Sequence, residues 1–137
     1  MLVLHVFLWV NRMKRETDYE QAYKPATEKL LEILFDDMDS ALREMGVGDM
    51  GVPRRIKAMA EALYGRLDAY EEALESQDAV HEALRRNVYG SSASTQDIDR
   101  LQLYLGHIAD HLDNRPAARL SEGSLMLPAP NELMVEL

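Results

Sequence analysis

The stretch from residue 56 to residue 74, IKAMAEALYGRLDAYEEAL, decides the fold of this chain. Its apolar residues recur at intervals of three and four positions, at Ile56, Ala60, Leu63, Leu67, Tyr70 and Leu74. This spacing places them along one side of an α-helix, where they can face a core. We therefore predict a helix here, with Leu63, Leu67 and Tyr70 buried in the core.

Two other stretches repeat this helical spacing. The first has apolar residues at Leu31, Leu34, Met38, Ala41 and Met45, and the second at Ile98, Leu101, Leu105, Ile108 and Leu112. An alternation of apolar and polar residues, as in a half-buried strand, is absent from the sequence. The sequence therefore predicts an all-α fold, a compact bundle of about four to five helices.

Residues 2–10 form a nearly unbroken apolar run, interrupted only by His5. The run is too short for a membrane-spanning helix, which needs about 20 residues. It also lacks the positive charges that precede the apolar run of a secretory signal. We predict that it forms a buried first helix, and the alternative is an interfacial membrane anchor.

Two helix boundaries stay open in the sequence. Thr17 and Glu20 form a capping-box pattern, but Pro25 follows. A helix either begins at Thr17 and kinks, or restarts with Pro25 in its first turn. Residues 53–89 form either one helix or two helices that meet near residues 76–78, because neither Pro nor Gly marks a break there.

The C-terminal part of the chain has clearer signals. Ser94 or Thr95 is placed to cap the last long helix, and Pro116 follows the end of that helix. We therefore predict one helical domain over residues 1–115. Residues 116–137 are expected to form an extended or partly disordered C-terminal tail.

The composition excludes several functional classes. The chain has 137 residues, no cysteine, and 15 Lys and Arg against 24 Asp and Glu, for a net charge of −9. Without cysteine there is no disulfide, thiol nucleophile or Cys-based zinc site. The negative charge opposes binding to a phosphate backbone. We expect no nucleic-acid binding by direct readout, and no cofactor.

Residues 46–51, GVGDMG, match the dinucleotide-binding pattern G-x-G-x-x-G literally. That pattern binds a pyrophosphate only where a strand leads into the turn and a helix follows it. Here the predicted helix that ends near Met45 leads into it. We interpret the motif as a helix–helix connection that binds no nucleotide.

His107 and His111 lie four positions apart, a spacing that can place two imidazoles on one metal ion. A metal site needs a third ligand and usually a fourth, and the sequence indicates none. We therefore predict two surface histidines and no metal site. No carboxylate or hydroxyl lies in a recognisable catalytic pattern, so we expect no enzymatic activity.

Arg54, Arg55 and Lys57 form the densest basic cluster, at the predicted start of a helix. The helix dipole favours anions at this position, so three cations there are locally unfavourable. We expect them to pair with the acidic residues at 36–39. The alternative is that they dock onto an acidic or membrane-proximal partner.

Five segments together resemble one protein family. They are residues 37–50 (DMDSALREMGVGDM), 52–57 (VPRRIK), 59–66 (MAEALYGR), 2–8 (LVLHVFL) and 84–90 (LRRNVYG). They resemble the ubiquinol–cytochrome c chaperone family, which assists assembly of the cytochrome bc1 complex of respiratory chains. The resemblance covers residues 2 to about 90 and fades through the last long helix.

The resemblance implies an assembly chaperone without catalysis, which binds newly made cytochrome b or another bc1 subunit. It implies a bacterial cytoplasmic protein at the periphery of the inner membrane, or a mitochondrial one in a eukaryote. Polar and aromatic positions within the matching segments are its candidate partner-binding residues: Arg43, Glu44, Asp49, Arg54, Arg55, Lys57 and Tyr64.

Members of this family usually carry a further helical segment before the LVLHVFL run, whereas the present sequence begins at that run. We expect the loss of this packing to leave part of the first helix uncovered, with either association of two copies through residues 2–10 or a lower stability as the result. The alternative to the chaperone role is a small acidic helical adaptor or dimerisation module unrelated to respiration.

Overall fold

The protein, seen in a computed structural model that describes residues 1–90 and 94–128, is an all-α bundle. Its elements are α1 (Leu2–Lys14), a π-helical turn (Tyr19–Tyr23), α2 (Lys24–Glu44), α3 (Val52–Ala73), α4 (Gln77–Leu84), a second π-helical turn (Arg85–Tyr89), α5 (Thr95–Asp113) and α6 (Ala117–Ser121). No strand occurs within the described ranges. The predicted fold class is confirmed.

Helix α1 lies at the centre of the bundle and packs against α2, α3 and α5. Its buried residues are Leu4, Val6, Phe7, Trp9, Val10 and Met13. At its start, His5 Nδ1 donates to the Met1 carbonyl at 3.0 Å, and the other ring nitrogen lies 2.9 Å from the Tyr104 hydroxyl of α5. The prediction of a buried first helix is confirmed.

Helix α5 packs against α1 and α4 and supplies a large part of the core. All five residues of its predicted stripe are buried: Ile98, Leu101, Leu105, Ile108 and Leu112. The Ser94 hydroxyl caps the helix by accepting a hydrogen bond from the Asp97 N–H at 3.1 Å. Such a cap satisfies one of the backbone donors that a helix leaves unpaired at its start.

Residues 53–89 form two helices. Helix α3 ends at Ala73, and Ser76 caps α4 by accepting a hydrogen bond from the Ala79 N–H at 3.1 Å. A serine cap in extended backbone therefore makes the break that neither Pro nor Gly marks. Within α3, Leu63 and Tyr70 are buried as predicted, whereas Leu67 is only half-buried.

Helix α2 restarts after a π-helical turn, with Pro25 in its first turn. Of the two alternatives for this boundary, the restart is therefore the one observed, and the Thr17 hydroxyl caps no helix. The predicted apolar stripe of α2 fails at its far end. Ala41 and Met45 are exposed there and Leu42 is buried in their place, because α2 runs beyond the main core at this point.

The predicted tail begins too early at residue 116. Residues Ala117–Ser121 form helix α6, and both Ala117 and Leu120 are buried in the core. Pro116 ends one helix but also stands as the N-cap of the next, so the chain turns back onto the bundle. The last part of the predicted tail, residues 129–137, lies outside the described residues.

Candidate partner-binding surfaces

The connection between α2 and α3, residues 45–51, forms an exposed corner at one end of the bundle. Gly46 has a φ of +83°, which L-residues rarely adopt. Its N–H donates to the Arg43 carbonyl at 2.9 Å, and the Val47 N–H donates to the Leu42 carbonyl at 3.0 Å. These bonds close the end of α2 and reverse the chain toward α3. Here we call residues 43–57 the α2–α3 corner.

Six of the seven predicted partner-binding residues lie in the α2–α3 corner, namely Arg43, Glu44, Asp49, Arg54, Arg55 and Lys57. Arg43 bridges Asp39, one helical turn earlier, and Asp49 in the loop. The hydrogen bond that Arg43 donates to the Asp39 carboxylate raises the pKa of the guanidinium above its ordinary value. This part of the predicted site is therefore an internal ion-pair network that fixes the loop on α2.

The expected pairing of Arg54, Arg55 and Lys57 with the acidic residues at 36–39 is wrong. Asp39 is already bound by Arg43 on its own helix, at the favourable i, i+4 spacing. The Lys57 Nζ lies 3.9 Å from the Glu61 Oε1, one turn farther along α3, so Lys57 pairs within its own helix. Within residues 1–90 and 94–128, Arg54 and Arg55 form no ion pair, and the first turn of α3 contains no acidic residue.

Tyr64, the seventh predicted residue, lies apart from the corner, farther along α3. Its ring packs against Phe35 of α2, with the ring centroids 6.3 Å apart. It lines a groove of about 210 Å³ together with half-buried Leu31 and Leu67. The predicted site residues therefore do not form one continuous surface.

A second groove, which sequence reasoning missed, lies at the far end of α3. It has a volume of about 200 Å³ and is almost wholly apolar, and its lining comes from four helices: Leu4, Phe7 and Leu8 of α1, Tyr70 and Ala73 of α3 with Leu74 just beyond, Val80 and Leu84 of α4, and Gln102, Leu105, Gly106 and Ala109 of α5. We call it the Leu74 groove. The Leu74 residue is 52% exposed at its rim.

Small residues keep the Leu74 groove open. A Cβ added at Gly106 would meet nothing within 4 Å, so the space above this glycine is free. Glycine inside a helix lowers stability by about 0.5–1 kcal/mol relative to alanine. The sequence signal for this groove is the presence of two small residues, Gly106 and Ala109, in the interior of α5.

The two candidate metal-binding histidines lie on one side of α5, half-buried. The His111 Nε2 lies 3.0 Å from the Arg115 Nε and 3.0 Å from the Met126 carbonyl oxygen, so this nitrogen already has partners within the chain. Among the residues that the structure describes, no three His, Asp or Glu side chains converge as a metal site would require. The absence of a metal stays a prediction.

The glycine-rich motif has the context predicted for it, since helix α2 rather than a strand leads into residues 46–51. That it binds no nucleotide stays a prediction.

In the described part of the chain, no helix is both long and apolar enough to span a bilayer. Association of two copies through residues 2–10 also stays a prediction. Leu2, at the start of α1, is the exposed large apolar residue of this segment.

A helical bundle that presents an apolar groove at one end and a cationic corner at the other has the surfaces of a binding protein. The chain belongs to the ubiquinol-cytochrome C chaperone family, whose family model matches residues 1–127. The resemblance of the five sequence segments is thereby confirmed. The match also extends through α5 and α6, where the sequence resemblance had faded.

A solved structure supports the same assignment. The crystal structure of the Cbp3 homolog from Brucella abortus is 33% identical in sequence and superimposes with a TM-score of 0.77. The similarity covers 96% of the present chain and 72% of that chain. No curated protein matches the sequence.

Proposed function

We propose that this protein is a non-catalytic assembly chaperone for the ubiquinol–cytochrome c reductase (bc1) complex. It binds newly made cytochrome b at the cytoplasmic face of the inner membrane. The observation that carries this proposal is membership of the ubiquinol-cytochrome C chaperone family over residues 1–127. The 33% identity to the Cbp3 homolog, over almost the whole chain, supports it.

The Leu74 groove is the surface that we assign to the client. A subunit of a membrane complex exposes apolar segments before it is inserted, and an apolar groove can shield them from water. The small residues Gly106 and Ala109 allow another helix to approach the backbone of α5 closely. The exposed Leu74 side chain offers apolar contact area at the rim.

The polar residues predicted for partner binding supply a second contact. Arg54, Arg55 and Lys57 are exposed in the α2–α3 corner, where Arg43 and Asp49 hold the loop in place. Tyr64 lies between this corner and the Leu74 groove along α3. We propose that the corner contacts a partner other than the apolar segment held by the groove.

The test of the chaperone role uses the full chain, tagged and expressed in a respiring bacterium, with co-purified cytochrome b as the readout. The Gly106→Leu variant fills the Leu74 groove without a clash at the Cβ. We expect it to capture at least about tenfold less cytochrome b, a loss of about 1.4 kcal/mol in binding. Its thermal midpoint should not fall, because leucine is a better helix former than glycine.

Gly65→Leu is the matched control, since Gly65 is also an exposed helical glycine with nothing within 4 Å of an added Cβ, but lies outside the groove. It should capture cytochrome b like the wild type. If the two variants behave alike, the groove is not the client site. If the wild type captures no cytochrome b, the proposed client is wrong, and a role as a helical adaptor gains support.

A further inference from the structure

Two methionines at the α2–α3 corner are exposed to an extent unusual for large apolar side chains. Met50 is 97% exposed and Met45 is 72% exposed. Both lie in the loop that the Arg43–Asp49 ion pair joins to α2, and their side chains contact little of the bundle. Methionine is flexible and apolar, and it suits adaptable apolar contacts.

The same corner concentrates positive charge in an acidic protein. Residues 43–57 contain four cations and two anions, whereas the whole chain has a net charge of −9. Arg43 neutralises Asp49 within this group. Arg54 and Arg55 are exposed and form no ion pair with any described residue, whereas most other Lys and Arg side chains of the bundle lie in ion pairs.

The two methionines and Arg55 belong to one surface. Met45, Met50 and Arg55 line the same shallow hollow at the tip of the corner. An added Cβ at Gly46 or Gly48 would meet nothing within 4 Å, so no other part of the bundle covers this tip. The result is an exposed surface with Met45, Met50 and Arg55 at its tip, and with Arg54 and Lys57 close to Arg55 in the first turns of α3.

We propose that the α2–α3 corner docks the protein onto an anionic lipid bilayer. Met45 and Met50 enter the interfacial layer, while Arg54, Arg55 and Lys57 contact lipid phosphates. This combination of inserted apolar side chains and flanking cations is how peripheral proteins bind anionic membranes. The biological purpose rests on the proposed function, since a chaperone for a membrane subunit works beside the bilayer, but lipid binding itself needs no client.

A lipid surface fits the corner better than an acidic peptide does. An extended peptide is held by a groove that buries it along its length, whereas this corner protrudes and its hollow is shallow and open. The exposed methionines would find no apolar partner on a purely acidic segment. Docking at the corner also leaves the Leu74 groove free, because about 20 Å of α3 lies between Lys57 of the corner and Tyr70 of the groove.

The first test measures binding of the purified full chain to vesicles of phosphatidylcholine, with or without phosphatidylglycerol. The wild type should bind only the anionic vesicles, and binding should weaken as salt shortens the Debye length from about 30 Å to about 3 Å. Arg54→Glu with Arg55→Glu should weaken binding by at least about tenfold, since each cation near the surface contributes substantially to the affinity.

The matched control is Arg66→Glu with Arg100→Glu. These arginines are also exposed and without an ion pair among the described residues, so the net charge changes equally, but they lie outside the corner. This control should retain most of the binding. Equal losses in the two double variants, or no binding by the wild type, would overturn the proposal. If Arg54→Glu with Arg55→Glu unfolds, the neutral pair Arg54→Gln with Arg55→Gln replaces it, with a loss of at least about threefold expected.

The second test reports insertion directly. The chain has no cysteine, so Met50→Cys can carry a single environment-sensitive fluorophore, with Met126→Cys as the control at another highly exposed methionine. On anionic vesicles, emission from position 50 should shift to the blue, and emission from position 126 should not. No shift at position 50 would exclude insertion of the corner. If Arg54→Glu with Arg55→Glu loses cytochrome b capture and the wild type binds no lipid, the corner contacts a protein partner instead.

Discussion

The two ends of α3 differ in what surrounds them: the C-terminal end packs against other helices, whereas the N-terminal end is mostly exposed. At the C-terminal end, Tyr70 packs against Phe7 of α1 with ring centroids 5.4 Å apart, and Ala73 is buried. At the N-terminal end, Val52 is buried, but the chain is exposed from Pro53 to Arg55. One helix thus joins a part of the bundle where side chains pack against α1 to a part that other elements cover little.

The largest effect should come from removing volume at the packed end. Leu84 is 1% exposed, so Leu84→Ala should lower the free energy of unfolding by about 2–5 kcal/mol. At the other end, Met50→Ala should change it by less than about 0.5 kcal/mol. Chemical denaturation of both variants tests the contrast. Similar losses in both would mean that the corner is packed as tightly as the core.

Glycine substitutions should have opposite signs at the two ends. Gly46 adopts a φ of +83°, so Gly46→Ala should destabilise the corner, by about 1 kcal/mol, because alanine is strained there. Gly106 lies in a helix with open space around an added Cβ, so Gly106→Ala should stabilise the protein by about 0.5–1 kcal/mol. Thermal melts of the pair give the signs, and a stabilised Gly46→Ala would show that the corner does not need a left-handed residue.

Tyr70 should make the packed end sensitive to alkaline pH. Burial raises the pKa of its hydroxyl above the ordinary value of 10.0, although the charges of Arg66 and Arg86 oppose this. The folded state then holds the proton more tightly than the unfolded state, so this stability is full below about pH 10 and is lost as the pH rises further. Denaturation between about pH 9 and 11 should show a steeper decline for the wild type than for Tyr70→Phe. Parallel declines would place the titration elsewhere.

The smallest effect expected is none. Residues 46–51 follow a helix and lie at an exposed turn, so calorimetry with NAD or ATP should detect no heat of binding. Micromolar affinity for either nucleotide would contradict the structural interpretation of the glycine-rich motif. It would also give the corner a function unrelated to lipid.

Apolar periodicity predicted the core well where a helix is covered along its whole length. The five stripe residues of α5 are all buried, because α1 and α4 pack against this helix. The same pattern failed for Met45, which continues the stripe of α2 past the end of the core. It failed in part for Leu74, which ends the stripe of α3 at an open groove. Periodicity reports the face of a helix, but not how far its neighbours extend.

The candidate site was harder to predict, for two physical reasons. Arg43 lies one helical turn from Asp39 and forms an ion pair with it. This local pair occupies the carboxylate with which Arg54 was expected to pair. The Leu74 groove is assembled from four helices far apart in sequence, and its open floor at Gly106 has no motif. The corner residues were found because they form one short segment of sequence.

The central position of α1 affects how the chain is made. Its hydrogen bonds to α5 and beyond join residues 99 and 103 positions apart, from His5 to Tyr104 and from Arg12 to Arg115. At translation rates of about 5–20 residues per second, about 5–20 s pass between the synthesis of α1 and the synthesis of its partner α5. During that interval the side of α1 that packs against α5 is exposed to water, although α2 and α3 are already synthesised. A protein that we propose shields unfinished clients therefore passes through the same hazard during its own synthesis.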